Sequence, residues 1–99
     1  FGGDRAIFGY GYSTFYDSVT NLVSNTGVVA TDTAGVGTGR QGLASSAYGL
    51  NRAIFGYGTN GTSPYNLSMS NLVSDTGVVA SDTTGVGSIR SLLAANSFS

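Results

Sequence analysis

The chain has 99 residues, 40% of them hydrophobic and 16 of them glycine, and its only charges are four Arg and five Asp, for a net charge of −1. Cys, His, Lys, Glu and Trp are missing altogether, which excludes Ser-His-Asp and Cys-His triads, a His/Cys zinc site and disulfide stapling. So little charge leaves no electrostatic footprint for nucleic acid or an anionic membrane.

No apolar run reaches transmembrane length, so membrane insertion is not expected. The first residue is Phe1 rather than Met, which reads as a processed product or a segment of a longer polypeptide.

The predicted elements come in chain order as strands over 5–10, 18–24, 27–33 and 42–48, then again over 52–57, 68–74, 77–83 and 92–98. They carry Val, Ile, Thr, Tyr and Phe and are separated by Gly, Asn, Asp and Ser. Asn25-Thr26-Gly27 and Asp75-Thr76-Gly77 read as hairpin turns. Gly49-Leu50-Asn51 is expected to turn one strand into the next. No stretch combines a helical period with a capping box.

The second series is a repeat of the first. Arg5 to Gly11 (RAIFGYG) recurs unchanged at Arg52 to Gly58, and Asn21-Leu22-Val23-Ser24 recurs at Asn71-Leu72-Val73-Ser74. Thr26 to Ala30 recurs at Thr76 to Ala80, Gly35-Val36-Gly37 at Gly85-Val86-Gly87, and Arg40 matches Arg90. The offset grows from 47 to 50 after Gly58, so the extra residues around 60–65 behave as a loop tip. The chain divides into repeat 1 over 1–47 and repeat 2 over 48–99.

Simple alternation puts Ala6, Phe8 and Tyr10 on one strand face and Ile7 on the other. Both faces of each strand are mildly apolar, as expected for a sheet sandwiched between like sheets. The expected packing surface carries Ile7, Phe8, Leu22, Val23, Val28, Val29 and their second-repeat equivalents. Four short strands per repeat of this length, stacked face to face, is the pattern of a propeller blade.

The run from Arg40 to Gly58 resembles the kelch repeat: an Arg before a strand of small residues, a turn, then an apolar strand. Gly56-Tyr57-Gly58 stands where kelch has a glycine doublet, and no Trp follows the third strand. The Asn21 to Thr33 wording is also similar to Gly/Thr/Asn-rich repeats of phage and viral tail-fibre-type structural proteins. The resemblance implies an all-β fold of two tandem four-stranded kelch-like blades. Further blades of a longer chain, or homo-oligomer partners, would complete them. It implies an extracellular or virion-surface setting and a non-catalytic structural or self-assembling role, with no cofactor.

Candidate site residues are few. Asp32 and Asp82 recur in Asp-Thr-x-Gly and are expected at strand ends, paired with Arg40 or Arg90. Arg5 and Arg52 occupy matching places before the apolar strand, so all four Arg are read as structural, bonding adjacent blades through the planar guanidinium. Asp17 has no repeat counterpart and reads as a loop carboxylate.

Tyr12, Tyr16, Asn60 and Tyr65 gather aromatic faces and amides near the loops. That is the chemistry that holds a sugar ring, so a lectin-like, glycan-binding domain is the alternative. A third reading, Asp-based glycoside hydrolysis, needs two carboxylates facing across a cleft; the repeated Asp positions argue for scaffold roles instead, and no enzyme activity is expected.

Overall fold

The Asn25-Thr26-Gly27 and Asp75-Thr76-Gly77 segments are tight turns. The Ser24 amide donates to Val28 O at 2.9 Å and the Ser74 amide to Val78 O at 3.0 Å, with Gly27 and Gly77 at φ 85° and 86°. Only glycine enters that left-handed region without cost, which is why glycine ends both turns. Gly49-Leu50-Asn51 joins two strands as expected, with Tyr48 paired to Arg52.

The computed structural model describes residues 1–97. It holds five strands: β1 (Ala6–Tyr12), β2 (Tyr16–Val23), β3 (Ala44–Tyr48), β4 (Arg52–Gly56) and β5 (Ser70–Val73). They form two antiparallel sheets, β1–β2 and β3–β4–β5, and there is no helix among the described residues. The fold is all-β. β3 lies in the first sequence repeat yet pairs with β4 of the second, so the sheets are out of phase with the repeat by one strand.

Three of the expected strands differ. Residues 27–33 and 77–83 lie along β2 and β5 as extended edges joined by isolated bridges: Val23 to Val29 and Thr20 to Thr33, then Val73 to Val79 and Ser70 to Thr83. From bridge to bridge β2 advances three residues while its partner advances four, so one residue bulges out and the ladder breaks. The Asn21 and Asn71 amides fill the break, donating to Ala30 O and Ala80 O.

Residues 92–97 form no strand. Their repeat counterpart, β3, is held by β4, and no strand lies beside 92–97 among the described residues. Phe98, the end of that expected strand, lies outside the described residues. Asp17 lies inside β2, opposite Gly11, rather than in a loop, and accepts a hydrogen bond from Ser13 Oγ at 3.1 Å.

The register is the same in both hairpins. Ala6 faces Val23, Ile7 faces Leu22 and Phe8 faces Asn21; Ala53 faces Val73, Ile54 faces Leu72 and Phe55 faces Asn71. Directly opposed residues share a face. Each hairpin therefore has an inner set, Ile7, Gly9, Leu22 and Thr20, and an outer set, Ala6, Phe8, Asn21 and Val23, and the second hairpin repeats both sets.

Tyr10 breaks the alternation. The β1–β2 register slips between Gly9 and Gly11, and Tyr10 takes φ 65°, as Tyr57 takes 66°. A tyrosine in this region costs about 1–3 kcal/mol and persists only where its surroundings hold it. The effect is to turn Tyr10 away from Phe8 and toward the face of Ile7 and Gly9.

The core is built from that asymmetry. Phe1, Tyr10, Ala53, Phe55, Val73 and Val79 are buried, with Ile7, Leu22, Val36 and Leu43 packed against them. Repeat 1 gives its inner face and repeat 2 its outer face, and no position is used from both. The expected packing surface is thus half right: Phe55, Val73 and Val79 are buried, whereas Phe8, Val28, Val29, Leu72 and Val78 are exposed.

Candidate functional site: the seam between the repeats

The seam starts from Gly9. A Cβ there would lie 2.7 Å from the Phe55 ring, so only glycine lets the second hairpin come this close. Phe55 fills the space and meets Tyr10 edge-on, with ring centroids 5.1 Å apart. Edge-to-face pairs of this kind add stabilisation beyond the buried area.

Behind the aromatic pair sits Arg40, fully buried, with its guanidinium carbon 4.5 Å from the centre of the Tyr10 ring. A buried charge needs partners. Arg40 donates to Thr38 O at 3.0 Å and, across the seam, to the Oδ1 of Asn71, which is itself fully buried. Asn71 donates in turn to Asp82 Oδ1 at 2.9 Å and to Ala80 O at 3.1 Å.

Asp82 closes the circuit. It accepts from the Thr38 hydroxyl at 2.7 Å and the Thr38 amide at 3.2 Å, and lies 3.9 Å from Arg40. The Tyr10 hydroxyl donates to Val36 O at 2.9 Å, which fixes the ring under the guanidinium.

The electrostatics follow from burial. Desolvation pulls the Arg40 guanidinium below its ordinary value, with Tyr10 and Asp82 opposing. Desolvation likewise raises the Tyr10 phenol, against the nearby Arg40 charge. For Asp82, desolvation works against the charged form but is outweighed by hydrogen bonds from Asn71 and Thr38 and by the Arg40 charge, so its carboxyl is held below the usual carboxylate value. The seam is a neutralised polar lock inside an apolar contact.

Among the described residues the expected Asp–Arg pairing is present once, as Asp82 with Arg40 at 3.9 Å, with Asn71 bridging the two. Asp32 is exposed and accepts from Asn21 Nδ2 at 2.8 Å, with no arginine at hand. Arg5 lies over the Phe1 ring at 5.2 Å, Arg52 over Tyr48 at 5.8 Å and Arg90 over Tyr57 at 4.2 Å. Each Arg thus has an aromatic neighbour at the matching repeat place. The sequence reading missed these stacks and the two asparagines. The signal was there: Tyr10 and Asn21 recur as faithfully as Arg40.

The second candidate cluster is partly assembled. Tyr12 and Tyr16 pair at a ring-centroid distance of 4.8 Å, and Gly61 sits directly against the Tyr16 ring. Tyr65 and Tyr12 are exposed. Asn60 is engaged within its own loop, its backbone N–H donating to Tyr65 O at 3.2 Å and its Oδ1 accepting from the Thr62 backbone N–H at 3.0 Å.

No group of three or more metal-ligating carboxylates is present among the described residues, and no helix is long and apolar enough to cross a membrane. The chain matches no family model and no curated protein.

Proposed function

We propose that the chain is a non-catalytic structural module whose repeats assemble by stacking. The observation that carries this reading is the two-sided character of each repeat. The seam joins an inner face to a different, outer face, and such a contact is heterologous: it can propagate or close into a ring. Repeat 1 still shows its outer face and repeat 2 its inner face, both with large apolar side chains exposed, Phe8, Val29, Leu72 and Val86 among them.

The units are read as kelch-like blades. β3, β4 and β5 run as a three-stranded antiparallel meander, and two isolated bridges lay the edge at 79–83 beside β5; with that edge counted as a fourth strand, the layout supports the blade reading. Closure of a propeller takes roughly 4–8 blades, supplied by homo-oligomer partners or by further repeats of the same chain. The resemblance to phage and viral repeats favours a virion surface or another extracellular appendage.

The test is the mass of the particle in solution by light scattering, with negative-stain images. A discrete species of a few chains supports a ring, and long polymers support a filament. A monomer at every concentration would remove the reading.

A lectin-like role is the second reading, favoured by the Tyr12–Tyr16 pair lying against the 60–65 loop. Exposed aromatic faces beside amides suit sugar rings. Glycan-array binding that disappears in Tyr12→Ala and Tyr65→Ala would support it, and an empty array would count against it.

A further inference from the structure

The two outward faces of the molecule carry the two halves of the seam already formed. On repeat 2, Arg90 lies over Tyr57, donates to Ser88 O at 3.1 Å, and the Tyr57 hydroxyl donates to Val86 O at 2.7 Å. Inside the seam the same three interactions recur: Arg40 lies over Tyr10 and donates to Thr38 O, and the Tyr10 hydroxyl donates to Val36 O. On repeat 1, Asn21 donates to Asp32 Oδ1 at 2.8 Å and Ala30 O at 3.2 Å, as Asn71 does to Asp82 and Ala80. The donor half and the acceptor half are thus preorganised in the absence of a partner, and the cost of ordering them on binding is small.

We propose that a second molecule of this chain docks head to tail by repeating the internal seam, Arg90 and Tyr57 of one molecule receiving Phe8, Asn21 and Asp32 of the next. The proposal rests on the stacking role argued above and names its contacts. Three observations select a second molecule as the occupant. First, the charges are complementary: exposed Arg90 meets exposed Asp32. Second, the shapes are complementary: Gly56 leaves the clearance that Gly9 leaves in the seam, with the nearest atom to a Cβ there, from Ser70, 3.9 Å away. That is the space a Phe8 ring needs.

Third, among the described residues β1 pairs only with β2, whereas its counterpart β4 is flanked on both sides. Residues 94–97, the equivalents of 44–47 in β3, have no strand partner among the described residues. The β3–β4 register sets Ala44 against Gly56 and Ala47 against Ala53. Carried across molecules, it sets Ala94 against Gly9 and Ser97 against Ala6, adding a strand to an open sheet edge.

Two fold-neutral variants test this. Gly56→Ala puts a methyl where the incoming Phe8 would sit, and Phe8→Ser removes the incoming ring at a position already exposed. Thermal unfolding of each at dilution should match the parent chain. In analytical ultracentrifugation the parent should assemble, and each variant alone should stay monomeric. A one-to-one mixture of the two should give a two-chain species and nothing larger, because each carries one intact half.

Variants that assemble like the parent would overturn these contacts while leaving the stacking role standing. A mixture with no two-chain species would also overturn them. A parent chain that stays monomeric at every concentration would overturn both.

Discussion

The two repeats share nearly one sequence and nearly one local geometry, yet they differ sharply in burial. Tyr10 and Tyr57 take the same unusual φ, and Arg40 and Arg90 stack on them in the same way. Phe55, however, is 3% exposed and Phe8 63%, and Arg40 is fully buried while Arg90 is exposed. The bulge, the stack and the turn are therefore written into each repeat. Burial is conferred by the neighbour. One sequence serves as socket in one place and plug in the other, and the chain offers an internal control for every contact in the seam.

The largest effect expected from breaking this comparison is at the phenylalanines. Phe55→Ala should lower unfolding free energy by about 3–5 kcal/mol, the range for an aromatic removed from a packed core. Phe8→Ala should change it by about 0.5 kcal/mol or less, as for an exposed side chain. Urea titration of the dilute chain measures both. Equal losses would mean that the faces are not distinguished by packing.

Arg40→Ala comes next, at about 3 kcal/mol, because it strands the Asn71 carbonyl oxygen and leaves Asp82 without its charge partner. Arg40→Lys should recover only part, since an ammonium cannot both lie flat on Tyr10 and reach Thr38 and Asn71. Arg90→Ala should leave chain stability within about 0.5 kcal/mol while weakening assembly. That split between stability and association is the sharpest way to separate the two arginines.

The positions of the hairpins were legible in the sequence because turn chemistry is local: Gly27, Gly77 and the Gly49-Leu50-Asn51 loop announce themselves. Strands β1, β2, β3, β4 and β5 were all anticipated within a few residues at each end. Alternation failed at Tyr10, where a bulge resets the face, and at 27–33, where one inserted residue breaks the ladder. Neither leaves a mark in a period-two pattern. The lock was half legible. Repetition picked out Arg40, Asp82 and their equivalents, and marked Asn21 and Asn71 equally, but it did not say that Asn71 stands between Arg40 and Asp82, since an asparagine in a strand reads as a solvent residue until its face is known. Which repeat would be buried was not legible at all, because at Phe8/Phe55, Tyr10/Tyr57, Asn21/Asn71 and Arg40/Arg90 the two repeats carry the same residues.

The glycines sharpen the comparison at smaller amplitude. Gly9→Ala should cost about 1–3 kcal/mol, as its methyl would force the Phe55 ring aside. Gly56→Ala should be nearly silent in the dilute chain, its methyl meeting nothing closer than 3.9 Å. Differential scanning calorimetry of the pair reads the difference as a shift in Tm. Coincident shifts would show that the close approach at Gly9 is not what holds the repeats together.

The smallest effect is acid sensitivity at Asp82. Its carboxyl is held below the ordinary value, net of desolvation, by Asn71, Thr38 and Arg40. The folded state thus binds the proton more weakly than the unfolded one. The stability this contributes is present above the unfolded pKa of about 4 and is lost as pH falls through the lower, folded value. The side chain is a third exposed, so solvent screening keeps the contribution under about 1 kcal/mol. Asp82→Asn should therefore shift stability downward at neutral pH and flatten its decline between about pH 5 and pH 2. Urea midpoints across that window measure it. If the variant declines as steeply as the parent, the proton linkage lies with other carboxylates, and Asp82 acts in the seam through its hydrogen bonds alone.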